Sequence, residues 1–121
     1  MKESVLDRFS RYVKINTRSQ EESDTYPSTA CQWDLLRLLE KEMKGLGLKD
    51  VELDSWGYVF GTLPGNSPKK VPTLAFLAHV DTSPEVSGEG VKPVLQPFES
   101  PENSSVTMQS QLAVEKINVG K

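Results

Sequence analysis

The feature that most constrains this 121-residue chain is the run Thr73-Leu74-Ala75-Phe76-Leu77-Ala78, nearly continuous in apolar side chains. The stretch before it, Pro64-Gly65-Asn66-Ser67-Pro68-Lys69-Lys70, is dense in turn formers. A short apolar run bounded by turn signals suits a strand buried on both faces, which implies a sheet with further elements packed around it. The run ends at His79, the single histidine of the chain, and the ends of such strands are where sites form in α/β sheets.

Helical and strand patterns elsewhere supply the other elements. Val5, Leu6, Phe9, Tyr12 and Val13 recur on one helical face, and Ser4 is placed to cap its start. Residues 16–27 are polar, lack periodicity and end at Pro27, as a surface loop does. A second helix is predicted to begin near Ser28 or Thr29, to carry Leu35, Leu36, Leu39, Met43 and Leu46 on one stripe, and to stop at Gly45 or Gly47. On its polar face Glu40 and Lys44 stand at i,i+4, a spacing that supports a helix and needs no further role. Val51-Glu52-Leu53-Asp54 alternates as a half-buried strand does, and Tyr58 to Leu63 reads as its hairpin partner across Ser55-Trp56-Gly57. From Pro97 to Ser105 the chain is polar, with little to bury, and predicts an irregular or disordered link. Val106 to Lys121 is compatible with a short helix or a strand.

Composition narrows the function classes. The length is that of about one domain with a modest core. Lys plus Arg number 14 against 17 for Asp plus Glu, so no basic field attracts nucleic acid or anionic lipid, and small peptides remain open as partners. The first residues are charged before any apolar run of signal-peptide length, and no stretch approaches the roughly 20 apolar residues of a membrane helix. With one cysteine, Cys31, no internal disulfide can form, which fits a reducing compartment; the expectation is a soluble cytoplasmic protein without membrane or nucleic-acid partners.

The residues that carry chemistry are His79 and Asp81 within Ala78-His79-Val80-Asp81-Thr82-Ser83. In an extended segment they point to the same side, so the carboxylate can lie near the imidazole or share its ligand field. A ligating histidine needs its second ring nitrogen held, and a nearby aspartate can orient the ring and raise its basicity. His-x-Asp alone is also the pattern of a hydrogen-bonded structural pair, and both readings stay open on spacing alone.

The surrounding segments carry a more specific signal. Arg8 to Thr17, Tyr26-Pro27-Ser28-Thr29, Leu46 to Asp54, Gly57-Tyr58-Val59, Thr62 to Asn66, His79 to Pro84 and Val91-Lys92-Pro93 occur in an order that resembles the M20 family of metallopeptidases, in its tripeptide aminopeptidase branch. The resemblance covers residues 1–95, with 96–121 reading as a divergent tail. It implies an α/β fold, part of an M20-type zinc-peptidase catalytic domain with helices on a small mixed sheet. It further implies a site of two zinc ions in which His79 is a metal ligand and Asp81 counts as catalytic because it orients that histidine. Metal-activated water would release the N-terminal residue of a tripeptide, with a separate glutamate moving the proton.

The family's remaining ligands, in an Asp-Asp-Lys segment, an adjacent Glu-Glu pair, a further aspartate and a second histidine, find no match. The pair Glu21-Glu22 lies upstream, in the first loop. The expectation is therefore an N-terminal fragment, inactive as this chain alone, with two rivals: a non-catalytic interaction module, or one half of a complementing pair. Trp33 and Trp56 read as surface or half-core aromatics, Cys31 lacks a histidine near it in sequence to make it a nucleophile, and Ser83 lacks a nucleophile-elbow pattern.

Overall fold

A computed structural model describes residues 3–99 and 104–109, and the side chains of residues 3–95. The chain divides into two units, residues 1–15 with 88–121 and residues 16–87.

In the first unit, α1 (Val5–Tyr12) starts at a capping box. The Ser4 hydroxyl accepts from the Asp7 amide at 3.1 Å, and the Asp7 carboxylate accepts from the Ser4 amide at 3.3 Å, so two amide donors at the helix start are satisfied reciprocally. Arg11 donates to Glu3 through Nε and a terminal nitrogen, at 3.2 and 2.8 Å. These hydrogen bonds from Arg11 are the main cause of a Glu3 carboxyl pKa lower than usual. A depressed carboxylate pKa stabilises the fold above the unfolded-state pKa, and that contribution is lost as pH falls through the folded-state pKa. The apolar stripe read from the sequence is not a buried face: no α1 residue is buried, and Val5 and Phe9 are exposed. This helix is held by its cap and its side-chain pairs.

The same unit contains β1 (Val94–Glu99) and β2 (Ser104–Gln109), paired antiparallel from Val94↔Gln109 to Glu99↔Ser104. Paired strands thus stand at 97–99 and 104–105, where the polar composition predicted an irregular or disordered link, and residues 100–103 lie outside the described residues. Pro97 is compatible with this pairing, because each strand of a two-stranded sheet keeps one unpaired edge, where a missing N–H costs nothing. The segment left open between helix and strand is a strand as far as Gln109, and residues 110–121 lie outside the described residues.

The second unit is built on α2 (Gln32–Gly45) and the antiparallel hairpin of β3 (Lys49–Leu53) and β4 (Val59–Thr62). Helix α2 starts some three residues later than the composition suggested, because Thr29, Ala30 and Cys31 form a tight turn whose carbonyls accept from Gln32, Trp33 and Asp34. It ends in a Schellman arrangement, with the Gly47 amide bonded to the Lys44 carbonyl, the Leu48 amide to the Met43 carbonyl, and Gly47 at φ +84°. Glu40 and Lys44 form the expected pair at 2.7 Å.

The hairpin loop is Ser55-Trp56-Gly57, as the sequence predicted. Asp54 Oδ1 accepts from the amides of Trp56 and Tyr58, and Gly57 takes φ +85°. A bulge between Lys49 and Glu52, with Asp50 at φ +51°, sets the register so that the half-buried Val51, Leu53 and Val59 alternate with the exposed Glu52, Tyr58 and Phe60. At Gly61 a Cβ would meet Met43 at 2.8 Å and Leu48 at 3.0 Å, which shows how closely the hairpin lies on α2. The core sits at this contact, where Leu36 is 3% exposed and Leu35 is also buried.

Two expectations are corrected. The sheet is not mixed: the described strands form two separate antiparallel pairs, and a single parallel bridge joins Arg18 to Thr82. Nor is 73–78 a strand buried on both faces. Residues 71–80 carry no helix, turn or bridge, with Leu74, Phe76 and Leu77 exposed by 81%, 96% and 93%. A strand exists through its ladder partners, and among the described residues nothing pairs with this run, so its hydrophobicity alone does not bury it.

Candidate functional site

His79 and Asp81 lie just before the point where the unpaired run is tied back to the second unit. The tie is a set of backbone bonds. Thr82 donates its amide to the Thr17 carbonyl at 3.0 Å and accepts from the Ser19 amide at 2.9 Å, while the Ser19 hydroxyl adds a 2.8 Å bond to the same Thr82 carbonyl. Arg18 Nε donates to the Pro84 carbonyl at 2.7 Å. Thr17 is 3% exposed, and its hydroxyl lies 3.5 Å from that of Thr82.

Beneath this clamp the Arg18 carbonyl accepts from the Thr29 hydroxyl at 2.6 Å and from Gln32 Nε2 at 3.5 Å, and Gln32 also donates to Ser28 and Thr29. Gln32 is buried in the first turn of α2, so the helix anchors the clamp through a polar side chain whose amide donors are shared among three acceptors. Thr29→Val keeps the shape and removes both the donor to Arg18 and an acceptor for Gln32. It is expected to lower stability by about 1–3 kcal/mol, read from urea melts.

At the site itself His79 Nδ1 and Asp81 Oδ1 are 3.1 Å apart. The histidine side chain is 84% exposed. A neutral imidazole that donates from Nδ1 to the carboxylate leaves the Nε2 lone pair directed elsewhere, the arrangement in which a second nitrogen binds a Lewis acid. The structure therefore brings together the two residues singled out in the sequence. It places them after an unpaired segment and not at the end of a central strand.

The donor set falls short of a complete metal centre. A catalytic zinc takes about three protein ligands, and among the described residues no group of three or more His, Cys, Asp or Glu side chains is placed to hold a metal ion. Glu21 and Glu22 are part of the first loop, where Glu21 lines an open depression with Arg18, Cys31 and Glu85, and neither joins His79. The Cys31 sulfur lies 3.2 Å from the Thr29 hydroxyl. Trp33 carries the Arg37 guanidinium at 5.7 Å from its ring centroid, and Trp56 packs against Tyr26 at 5.7 Å, so both indoles have neighbours of their own.

Sequence reasoning missed the role of Asn16 to Ser19. Polar and aperiodic, these residues read as loop, and nothing local shows that Thr17 is buried or that Ser19 reaches residue 82.

Peptidase T of Geobacillus thermodenitrificans (strain NG80-2) is 53% identical over 93 residues, covering 77% of this chain and 23% of that protein. The chain is similar to the N-terminal portion of peptidase T. Peptidase T of Desulfitobacterium hafniense (strain Y51) is 57% identical over 89 residues, 74% of this chain and 22% of its own length. Peptidase T of Exiguobacterium sp. (strain ATCC BAA-1283 / AT1b) is 48% identical over 114 residues, 94% of this chain and 27% of its own length, so its likeness continues past residue 95. The chain spans about a quarter of the length of the peptidase T proteins it matches. No protein-family model matches it. Among the described residues no helix is long and apolar enough to cross a membrane.

Proposed function

We propose that this chain supplies the first part of a zinc-dependent tripeptide aminopeptidase of the M20 type, as a share of its catalytic domain. His79 is the metal ligand, through Nε2, and Asp81 holds the ring by accepting from Nδ1. Two zinc ions in the complete site would polarise the scissile carbonyl and activate water. Small peptides are the substrates, and the cytoplasm is the compartment. The observation that carries this reading is the 3.1 Å contact between His79 Nδ1 and Asp81 Oδ1 on an exposed imidazole, in a chain similar to the N-terminal portion of peptidase T.

Two donors do not make a hydrolytic centre, so no catalytic step is assigned to this chain alone. The purified chain is expected to release no N-terminal residue from tripeptides above background, with or without added zinc. Residues 1–95, grafted onto the remaining three quarters of the Geobacillus thermodenitrificans peptidase T, are expected to give an active enzyme. His79→Ala in that chimera should abolish the activity. Hydrolysis by the isolated chain that His79→Ala removes, or an active chimera indifferent to His79→Ala, would overturn the assignment.

A further inference from the structure

We propose that Ser19 and Arg18 are positioning residues for the His79–Asp81 pair: from the first loop, their side chains fix the backbone that follows Asp81 and so aim its carboxylate at His79 Nδ1. This deepens the proposed function and rests on it for the metal that Nε2 would bind. The starting point is the parallel bridge between Arg18 and Thr82. Through it Thr82 is bonded on both sides of its Cα, giving its amide to the Thr17 carbonyl at 3.0 Å and taking the Ser19 amide at 2.9 Å.

The side chains add what the bridge lacks. A carbonyl oxygen has two lone pairs, and with one donor the peptide plane between Thr82 and Ser83 can still rock about that bond. The Ser19 hydroxyl is the second donor, at 2.8 Å, and holds the plane in a second direction. Two residues on, Arg18 Nε takes the Pro84 carbonyl at 2.7 Å, at a residue whose ring already fixes φ. Successive side chains of extended backbone leave in alternating directions, so a peptide fixed at Thr82 sets the direction in which Asp81 leaves the chain.

The support is itself held. The Arg18 amide donates to Asn16 Oδ1 at 3.0 Å, and its carbonyl takes the Thr29 hydroxyl at 2.6 Å, next to the buried Gln32 of α2. The pair it serves is exposed, with side chains 84% and 46% accessible, and an exposed ion pair contributes too little to hold its own geometry. Backbone fixed beside Asp81 supplies that order.

His79 is the single histidine, so nitrogen NMR of the labelled 121-residue chain reads its two ring nitrogens without ambiguity. With the imidazole neutral, the wild-type chain should carry its proton on Nδ1, the tautomer from which Asp81 accepts. Ser19→Ala and Arg18→Met should each lower the ratio of the Nδ1–H to the Nε2–H tautomer about two- to fivefold, the range set by one lost hydrogen bond, with an unchanged circular dichroism spectrum. Ser19→Thr, which keeps the hydroxyl, should retain the wild-type ratio. So should Gly47→Ala, a destabilising change beyond the other end of α2, where a merely structural role for Ser19 would act no differently. A wild-type chain with its proton on Nε2 would remove the contact that carries the proposed function, and the positioning with it. A wild-type proton on Nδ1 that neither Ser19→Ala nor Arg18→Met disturbs, a Ser19→Thr chain that behaves as Ser19→Ala, or an equal shift in Gly47→Ala would overturn the positioning alone.

Discussion

Asp81→Asn is expected to reduce zinc affinity or activity roughly 10- to 100-fold in the chimera that carries a complete site, the usual cost of losing the group that orients a ligating histidine, while leaving the fold unchanged. The geometry separates the two effects. The His79–Asp81 pair is solvent-exposed, with side chains 84% and 46% accessible, and exposed pairs of this kind contribute about 0–1 kcal/mol at most. Its removal therefore costs little stability. Asparagine can still accept from Nδ1, but it brings no negative charge to the site of the metal. Calorimetric zinc titrations and thermal melts of the two proteins check this. Unchanged affinity with a lowered melting temperature would make the pair structural and remove Asp81 from the site.

The second large effect is at Gly57. Its φ of +85° costs a residue with a Cβ about 1–2 kcal/mol, and the added Cβ would stand 2.9 Å from Pro27 Cγ, 3.0 Å from Pro27 Cδ and 3.2 Å from Leu36 Cδ1. A proline ring cannot swing aside as a long flexible chain does, and Leu36 is at the centre of the core, so overpacking adds about 1–3 kcal/mol. Gly57→Ala is expected to cost about 3 kcal/mol in all. Gly47→Ala provides the comparison, with nearly the same φ, +84°, and nothing within 4 Å of its Cβ, so that it should lose about 1 kcal/mol. Urea melts of both variants measure the difference. Equal losses would show that the hairpin loop does not pack on Pro27 and Leu36 as described.

Local chemistry made much of the fold legible in advance. Ser4 capped α1 because a hydroxyl three residues before Asp7 satisfies two orphan amides wherever such a helix starts. Gly47 ended α2 and Gly57 closed the β3–β4 hairpin because both need a positive φ that few other residues adopt. His79 and Asp81 are two residues apart, so their contact needed only a locally extended backbone.

What the sequence by itself determined about this protein is thus what neighbours in the chain decide among themselves: caps, turns, the α2 stripe at Leu35 and Leu36, and the His79–Asp81 pair. Only the tertiary structure decided the rest, because burial and ladder pairing depend on residues far apart in sequence. Leu74, Phe76 and Leu77 look like core and lie exposed, since no described strand runs beside them. Thr17 looks like surface and is buried, since Thr82, sixty-five residues away, takes its carbonyl. Hydrophobicity states what a segment gains from burial, and the strand or helix that would bury it has to come from elsewhere in the fold.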